Sequence, residues 1–286
     1  MDSIAEWLVD PFVANPFMQR ALVASLFTVV TTSLVGTWVV LRGMAFMGDA
    51  MAHGVIPGIA LAYLWGVNLG VGAAVSALVM VGGINVVSRR SRLPEDTSIG
   101  LLFVGMLALG VAIISTQGAY AGDLTAILFG DAIAMTRGDV VSTIVAAAVT
   151  LVLTLVLYRP FLVLSFSRDK AAALGLRPGL THVAMLVLVG LSVVVSFQTV
   201  GTLLVFAFLV APPATASLLA RRLPAMIGTA IGLGSLAVVV GLLTSFHAGT
   251  PASASIAVAT VVEFFLVLTA REVADAVAAQ RVRLAA

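Results

Sequence analysis

The sequence predicts an all-α membrane protein that forms one domain, residues 1–286, and crosses the bilayer about nine times. Of its 286 residues, 61% are hydrophobic and 10% are charged. A soluble domain carries about 25% charged residues, so the charges of this chain are too few to cover a water-exposed surface. The mean hydropathy of +1.16 agrees with this conclusion. The composition excludes a soluble enzyme and a disordered chain.

The individual spans are the uncharged stretches, because a membrane helix needs about 20 apolar residues. In chain order they are 21–41, two within 50–88, 97–117, 140–158, two within 180–220 and two within 223–262. The paired spans divide around 66–68, near 198–201 and at 247–251, where His-Ala-Gly-Thr-Pro is a strong turn signal. Three pairs of glycines four apart predict close contacts between helices: Gly54 with Gly58, Gly66 with Gly70, and Gly228 with Gly232.

The basic residues predict the orientation of the chain through the positive-inside rule. When the loop at 89–92 is placed in the cytoplasm, thirteen Lys and Arg residues fall inside and two, Arg20 and Arg137, fall outside. The N-terminal segment 1–19 then lies outside and the tail 271–286 lies in the cytoplasm. This arrangement requires an odd number of crossings.

Segment 118–139 does not fit a simple turn on the outer side. Its apolar part, 124–135, is too short to span the bilayer, so we expect an outer-face or re-entrant helix. The acids of this segment are Asp123, Asp131 and Asp139. They could form an acidic vestibule that receives metal, or they could equally be solvated caps. His247, in an outer turn, is a further candidate for contact with incoming metal.

Asp49 and Glu263, each directly beside one of these uncharged stretches, are the two acids that the predicted topology leaves in the membrane, where a charge is costly and often marks a pathway or a pair. Asp49 and His53 are four residues apart, so they share one face of a helix. His53 lies 11 residues beyond Arg42, and a rise of about 1.5 Å per residue brings it near the bilayer midplane. Glu263 is a candidate intramembrane relay, or the structural partner of a hydroxyl or a carbonyl.

Carboxylate and imidazole together are ligands that suit Zn²⁺ and Mn²⁺. The alternative is an internal Asp–His hydrogen bond that fastens two helices. One such pair is too small for a complete site, because tetrahedral zinc needs about four ligands. A second copy of the chain on a two-fold axis would supply another pair, so the ligand count predicts a homodimer.

Loop 167–178, on the cytoplasmic side, has the pattern of a short complete helix. Ser167 can cap its start, Asp169 favours the first turn, and Gly175 can end it. Such a helix is either a connector or a docking helix for a partner. In the second case Leu174 would be its apolar contact.

The chain has no means of hydrolysing a nucleotide itself. A phosphate-binding loop needs Gly-Lys followed by Ser or Thr, whereas the single lysine, Lys170, stands between Asp169 and Ala171. Any ATP-driven step must therefore come from another subunit. The absence of cysteine excludes thiolate sites. A net charge of +2 gives no reason to expect nucleic acid as a partner.

Five stretches, in order along the chain, carry recognisable motifs. Residues 41–60 read LRGMAFMGDAMAHGVIPGIA, and they are followed by 95–103, Asp123-Leu124 with 128–130, 169–175, and 200–205 with 211–216. These stretches resemble the hallmark motif, the start of the fourth helix, the outer segment, the coupling helix and the late core of the zinc/manganese ABC transporter permeases. The resemblance extends from about residue 20 to about residue 270, nearly the whole chain.

This resemblance implies an importer of the bacterial cytoplasmic membrane, built from two permease chains and two ATP-binding cassette ATPases. It also implies an extracytoplasmic binding protein that delivers the metal. Asp49 and His53 match the metal-coordinating pair of the motif. The residues that match the ATPase-docking helix are Asp169, Ala172, Leu174 and Gly175. The permease itself would hold no cofactor, with Zn²⁺ first and Mn²⁺ second as transported substrate and ATP in the partner. The sequence of residues 42–46 resembles that of the zinc-importing members more than that of the others.

Two other functions stay open at this stage. An ion-coupled secondary carrier would need inverted repeats, and the sequence shows no convincing repeat. A permease for iron chelates or vitamins would carry a large organic ligand. Such a permease would need no Asp–His pair at the midplane.

Overall fold

The structure is a computed structural model that describes residues 2–91, 93–115 and 136–285, and all regular structure in these ranges is helical. The helices are α1 (Asp2–Ala14), α2 (Pro16–Leu41), α3 (Ala45–Gly54), α4 (Ile56–Leu64), α5 (Leu69–Arg90), α6 (Glu95–Ser115), α7 (Arg137–Val156), α8 (Tyr158–Phe166), α9 (Arg168–Ala173), α10 (Pro178–Leu219), α11 (Leu223–Ala248) and α12 (Ala252–Ala285).

Eight stretches of the described chain are long and apolar enough to cross a membrane, which confirms the all-helical, multi-spanning class. They are Pro16–Leu41, Ala45–Leu64, Leu69–Ser88, Asp96–Ser115, Arg137–Val156, Pro178–Phe197, Leu223–Ala248 and Ala252–Gln280. The second half of α10, Leu204–Leu219, is a shorter apolar helix. The count of about nine crossings and the orientation of the two termini stay predictions.

The three predicted breaks each coincide with a glycine whose backbone angle φ is positive. Gly66, with a φ of 63°, lies between α4 and α5, and Gly249, with a φ of 66°, follows α11 in the left-handed conformation. Gly201 interrupts α10 with a φ of 78° and a ψ of 162°. Glycine has no Cβ, so it adopts these conformations without the steric cost that other residues meet.

Two helix boundaries differ from those predicted. α2 begins at Pro16 rather than at 21, because proline is favoured in the first turn of a helix. α12 continues to Ala285, beyond the uncharged stretch that ends at 262 and through the predicted tail, so this helix is longer than the stretch that marked it. No glycine or proline follows Pro251 in the sequence, so nothing stops the helix where its hydrophobicity falls.

Helix α10 lies at the centre of the bundle, in contact with α2, α3, α5, α7, α8, α11 and α12. Phe208 of α10 belongs to the same buried apolar core as Trp38 of α2 and Phe161 of α8. α2 approaches α10 so closely that a Cβ at Gly36 would overlap the carbonyl of Leu209. Contact through small residues is typical of helices packed within a membrane.

Of the three pairs of glycines four apart, one is packed, one is open, and the third begins at Gly66 in the turn between α4 and α5. A Cβ at Gly58 of α4 would overlap the carbonyl of Gly72 in α5, and a Cβ at Gly54 would overlap the sulfur of Met80. A Cβ at Gly228 or at Gly232 of α11 would have, apart from the adjacent backbone of α11 itself, no neighbour within 4 Å in the described chain. The predicted close contact therefore holds for the packed pair and not for the open pair.

Gly58→Val is expected to destabilise the chain by about 1–3 kcal/mol, because the new side chain must displace the backbone of α5. Gly232→Val, which also lies within a helix but faces open space, is the matched control and should change stability by about 0.5 kcal/mol or less. Thermal unfolding of the purified chain in detergent measures both effects. Equal unfolding temperatures for the two variants would contradict the close α4–α5 crossing.

Candidate metal site

Asp49 and His53 lie on α3, a helix of 10 residues between two backbone irregularities. Gly43, with a φ of 67°, turns the chain after α2. At the other end Val55 separates α3 from α4, and Pro57 has no N–H to donate to the carbonyl of His53. The local sequence therefore isolates one short helix that carries the carboxylate and the imidazole.

The side chains of Asp49 and His53 face each other without forming a hydrogen bond. Asp49 Oδ1 and His53 Nε2 are 3.9 Å apart, whereas a hydrogen bond needs about 2.7–3.2 Å. Both residues belong to one helix, so a hydrogen bond that fastens two helices does not describe them. Bonds from zinc to nitrogen or oxygen are about 2.0–2.2 Å long, so one ion of this size fits between the two atoms. The side chains keep 25% (His53) and 29% (Asp49) of their surface exposed.

The imidazole of His53 is held by an aromatic contact from another helix. Its ring stacks on Phe103 of α6, with centroids 5.6 Å apart and planes at 23°. Phe103 meets Phe46 of α3 edge-on at 5.5 Å. Nδ1 of His53 is buried and has no hydrogen-bond partner among the described residues. Burying a polar atom without a hydrogen-bond partner lowers the free energy of unfolding by about 1–3 kcal/mol. Local destabilisation of this kind is expected at functional sites.

Small residues within the stretch 41–60 allow α3 to pack closely against α10 and α5. A Cβ at Gly48 would come within 2.5 Å of Leu209 Cδ2 in α10. Ser76 of α5 donates a hydrogen bond of 2.8 Å to the carbonyl of Gly54. These contacts fix α3 in the bundle while the carboxylate and the imidazole stay partly accessible.

Sequence reasoning did not identify Phe103 or Phe46 as parts of the site. Phe103 is the last residue of the stretch 95–103, which resembles the start of the fourth helix of the permeases. That resemblance was the one available signal, because helical spacing shows which residues share a face but not which helices meet.

Phe103→Ala is expected to raise the metal concentration for half-maximal uptake about two- to tenfold, because an aromatic stack is worth about 0.5–1.5 kcal/mol. The maximal rate should change much less, since both ligands remain. Phe103→Trp keeps an aromatic face and is the matched control. Initial uptake rates against metal concentration give both parameters. An unchanged half-maximal concentration in Phe103→Ala would contradict a positioning role for this ring.

The structure does not join the other candidate residues to Asp49 and His53. Asp123 and Asp131 lie outside the described residues. His247 stacks on Trp7 of α1, with ring centroids 4.3 Å apart. Glu263 Oε1, on α12, is buried without a hydrogen-bond partner in the described part of the chain. Within that same part, no three His, Asp or Glu side chains come together as a metal-binding group, so one copy supplies two ligands.

The predicted cytoplasmic helix forms, although it is shorter than 167–178. Ser167 Oγ accepts a hydrogen bond of 3.2 Å from a backbone N–H in the first turn of α9. Gly175, with a φ of 73°, follows the end of the helix in a conformation that glycine favours. Leu174 is 62% exposed, which leaves an apolar side chain on the surface beside α9.

The described chain is a multi-spanning helix bundle that carries a partly exposed Asp–His pair on one of its helices. Residues 14–271 match the ABC 3 transport family, and the chain belongs to that family. The chain is 36% identical over 250 residues to the manganese transport system membrane protein MntC of Listeria monocytogenes, covering 87% of this chain and 89% of that protein. It is 35% identical over 247 residues to the chelated iron transport system membrane protein YfeD of Yersinia pestis, covering 86% and 82%.

Among solved structures, a chain of PsaBC from Streptococcus pneumoniae in complex with Fab matches this fold with a TM-score of 0.82 at 33% identity. The match covers 92% of this chain and 95% of that chain. The likeness therefore extends over nearly the whole bundle.

These similarities confirm the class that the sequence predicted. The chain is the permease subunit of an ABC importer for metal, in the bacterial inner membrane, which it crosses several times. It is a transport subunit and not an enzyme, and the ATPase is a separate subunit. An ion-coupled secondary carrier is therefore set aside.

Proposed function

We propose that this permease passes a divalent transition-metal ion through a site formed by Asp49 and His53 of two copies of the chain. The 3.9 Å separation of Asp49 Oδ1 and His53 Nε2 carries this proposal, because it is too long for a hydrogen bond and leaves room for an ion. A two-fold axis would bring two carboxylates and two imidazoles to one ion. That set satisfies the need for about four ligands.

The shared site can be tested by crosslinking, because the chain has no cysteine of its own. A single His53→Cys substitution places one thiol next to the proposed two-fold axis in each copy. Oxidation of the assembled transporter should then give a disulfide-linked permease dimer. Leu236→Cys, at an exposed position of α11, is the control. No more dimer from His53→Cys than from Leu236→Cys would contradict the shared site.

We place Mn²⁺ first among the candidate ions and Zn²⁺ second. Imidazole and carboxylate ligands suit both ions, so the ligand types alone do not decide between them. The name of the Listeria relative favours Mn²⁺ over the zinc preference that residues 42–46 suggested. Competition between the two ions for uptake by the complete transporter measures the order of preference.

We propose that an extracytoplasmic binding protein delivers the ion and that two ATPase subunits drive its transport through α9. The interface residues on this chain are Asp169, Ala172, Leu174 and Gly175. The exposure of Leu174 supports this role, because a partner would bury it. α9 leads into α10, and α10 packs on α3. A displacement of α9 by the ATPase can therefore move Asp49 and His53 through helices that are in direct contact.

Uptake should weaken in acid, because metal ligands must be deprotonated before they bind an ion. Lowering the pH from about 7.5 to about 5.5 should lower the rate, and additional metal should restore it, because protons and the ion compete for the same ligand atoms. Initial uptake at low metal concentration measures the effect, with ATP hydrolysis followed in the same samples as a control. A flat profile would contradict competition at these ligands.

A chelated-iron cargo is the second candidate, and the similarity to YfeD favours it. A metal enclosed in an organic ligand does not need a carboxylate and an imidazole from the permease. His53→Ala would then leave uptake intact, whereas a folded His53→Ala variant that cannot take up metal supports transport of the ion itself.

A further inference from the structure

A second histidine and carboxylate come together around a cavity between α1 and the end of α11. This outer cavity has a volume of about 360 Å³ and is lined by Trp7, Asp10, Asn15 and His247, among others. It lies at the end of the molecule where α2 begins and α11 ends. The distribution of basic residues predicts that this end faces the outside of the cell.

The ring of His247 is fixed by three contacts. It stacks on Trp7 with centroids 4.3 Å apart and planes at 6°, and it meets Phe246 edge-on at 5.3 Å. Its Nε2 lies 3.2 Å from the carbonyl oxygen of Trp7. Because a carbonyl oxygen only accepts, Nε2 must carry the hydrogen, and in the neutral ring Nδ1 keeps its lone pair.

This arrangement is the one that metal-binding histidines use. Such a histidine donates its second ring N–H to a carboxylate, a backbone carbonyl or water, and that bond sets both the tautomer and the orientation of the ring. In His247 the carbonyl of Trp7 fills this role, so the ring is prepared to bind an ion through Nδ1 before any ion arrives.

The outer cavity also offers side-chain oxygen atoms that could bind an ion beside His247. Asp10 is the one charged side chain among the described residues that line it. Asn15 Nδ2 donates a hydrogen bond of 3.1 Å to the carbonyl of Pro11, so its side-chain oxygen can accept or coordinate. A water molecule occupies about 30 Å³ in the liquid, so the cavity has space for an ion that keeps several waters.

We propose that the outer cavity is an access site where a hydrated divalent transition-metal ion binds His247 Nδ1 and the Asp10 carboxylate. The ion would then pass on to Asp49 and His53. The inference rests on the proposed function for the identity of the ion, but its ligands are a separate set of residues. It extends the sequence-based expectation for His247 by naming Asp10 as the second ligand.

Trp7 provides a reporter that does not depend on transport, because its ring stacks directly on His247. Co²⁺ is paramagnetic and has ligand preferences close to those of Zn²⁺, so an ion bound at Nδ1 should quench Trp7 fluorescence. We expect saturable quenching when Co²⁺ is added to the full chain in nanodiscs of phosphatidylcholine. Trp7→Phe should abolish this component, leaving the emission of Trp38 and Trp65.

Substitution of the ligands identifies the site. His247→Ala and Asp10→Asn should each raise the Co²⁺ concentration for half-maximal quenching at least about tenfold. The amide of His247→Gln can still donate to the carbonyl of Trp7, so α1 should stay packed. This variant should raise the Co²⁺ concentration for half-maximal quenching as much as His247→Ala does. His182→Gln is the control and should behave as wild type. Quenching that is not saturable, or that is unchanged in both His247 variants, would overturn the proposal.

A double variant separates this inference from the proposed function. Asp49→Ala with His53→Ala should keep the Trp7 quenching even though uptake is lost. If uptake survives in this variant while the quenching persists, the proposed transport site is wrong and the access site stands. If the quenching is lost in the double variant, Trp7 reports on Asp49 and His53, and the access site is overturned.

Discussion

Asp49→Ala and His53→Ala are each expected to lower ATP-dependent metal uptake at least about 100-fold in proteoliposomes that contain the permease, the ATPase and the binding protein. Each substitution removes two ligands from a site that two copies share. The loss of even an outer-shell partner of a metal ligand costs about 10–100-fold, so the loss of direct ligands should cost more. Uptake should be lost for Mn²⁺ and Zn²⁺ alike, because both ions use the same ligands.

His182→Gln is the matched control for these variants. His182 Nδ1 lies 2.9 Å from Arg42 Nη1, where α2 ends and α10 begins, so it belongs to a different contact. This variant should transport at close to the wild-type rate. Gel filtration and ATP hydrolysis would establish that every variant assembles. Wild-type uptake by assembled Asp49→Ala and His53→Ala would reduce the pair to a structural role.

Leu174→Asp is expected to lower uptake at least about 30-fold while the permease itself stays folded. Leu174 is exposed in the single chain, so the substitution costs little until a partner covers the position. In the proposed interface the new carboxylate would lose its hydration, and a buried apolar contact of this kind is worth about 2 kcal/mol or more. Binding of the ATPase, or its stimulation, should fall with uptake.

Val273→Asp tests whether any new charge on the predicted cytoplasmic side has this effect. Val273, on α12, is 62% exposed, the same fraction as Leu174. Copurification of the ATPase with each permease variant, together with uptake, measures the outcome. Equal losses in both variants would place the contact elsewhere or spread it over both helices, and normal coupling in Leu174→Asp would contradict docking at α9.

The turns and caps of this protein are predictable because they depend on residues close together in sequence. Gly66, Gly201 and Gly249 mark the breaks between apolar stretches, and the structure places a positive φ at each. Ser167 caps α9 because its side chain reaches an N–H three residues ahead. The shared face of Asp49 and His53 follows in the same way from their spacing of four residues.

Contacts between helices are not predictable on the same basis. The stack of Phe103 on His53 joins α6 to α3, and the stack of Trp7 on His247 joins α1 to α11. Periodicity assigns each residue to a face but does not select the helix that packs against it. Composition marks the end of an apolar stretch but not the end of a helix, because α12 continues beyond the apolar stretch through residues with good helix propensity.

The central claim is that Asp49 and His53 of two chains hold one ion, and pulsed EPR of bound Mn²⁺ tests it most directly. The permease, assembled with its ATPases but without the binding protein, would carry His247→Ala, which removes the proposed access site. We predict one tightly bound ion per two permease chains, with spin coupling to imidazole nitrogen that disappears in His53→Ala. A Mn²⁺ spectrum without imidazole nitrogen coupling, or one that His53→Ala leaves unchanged, would contradict the claim.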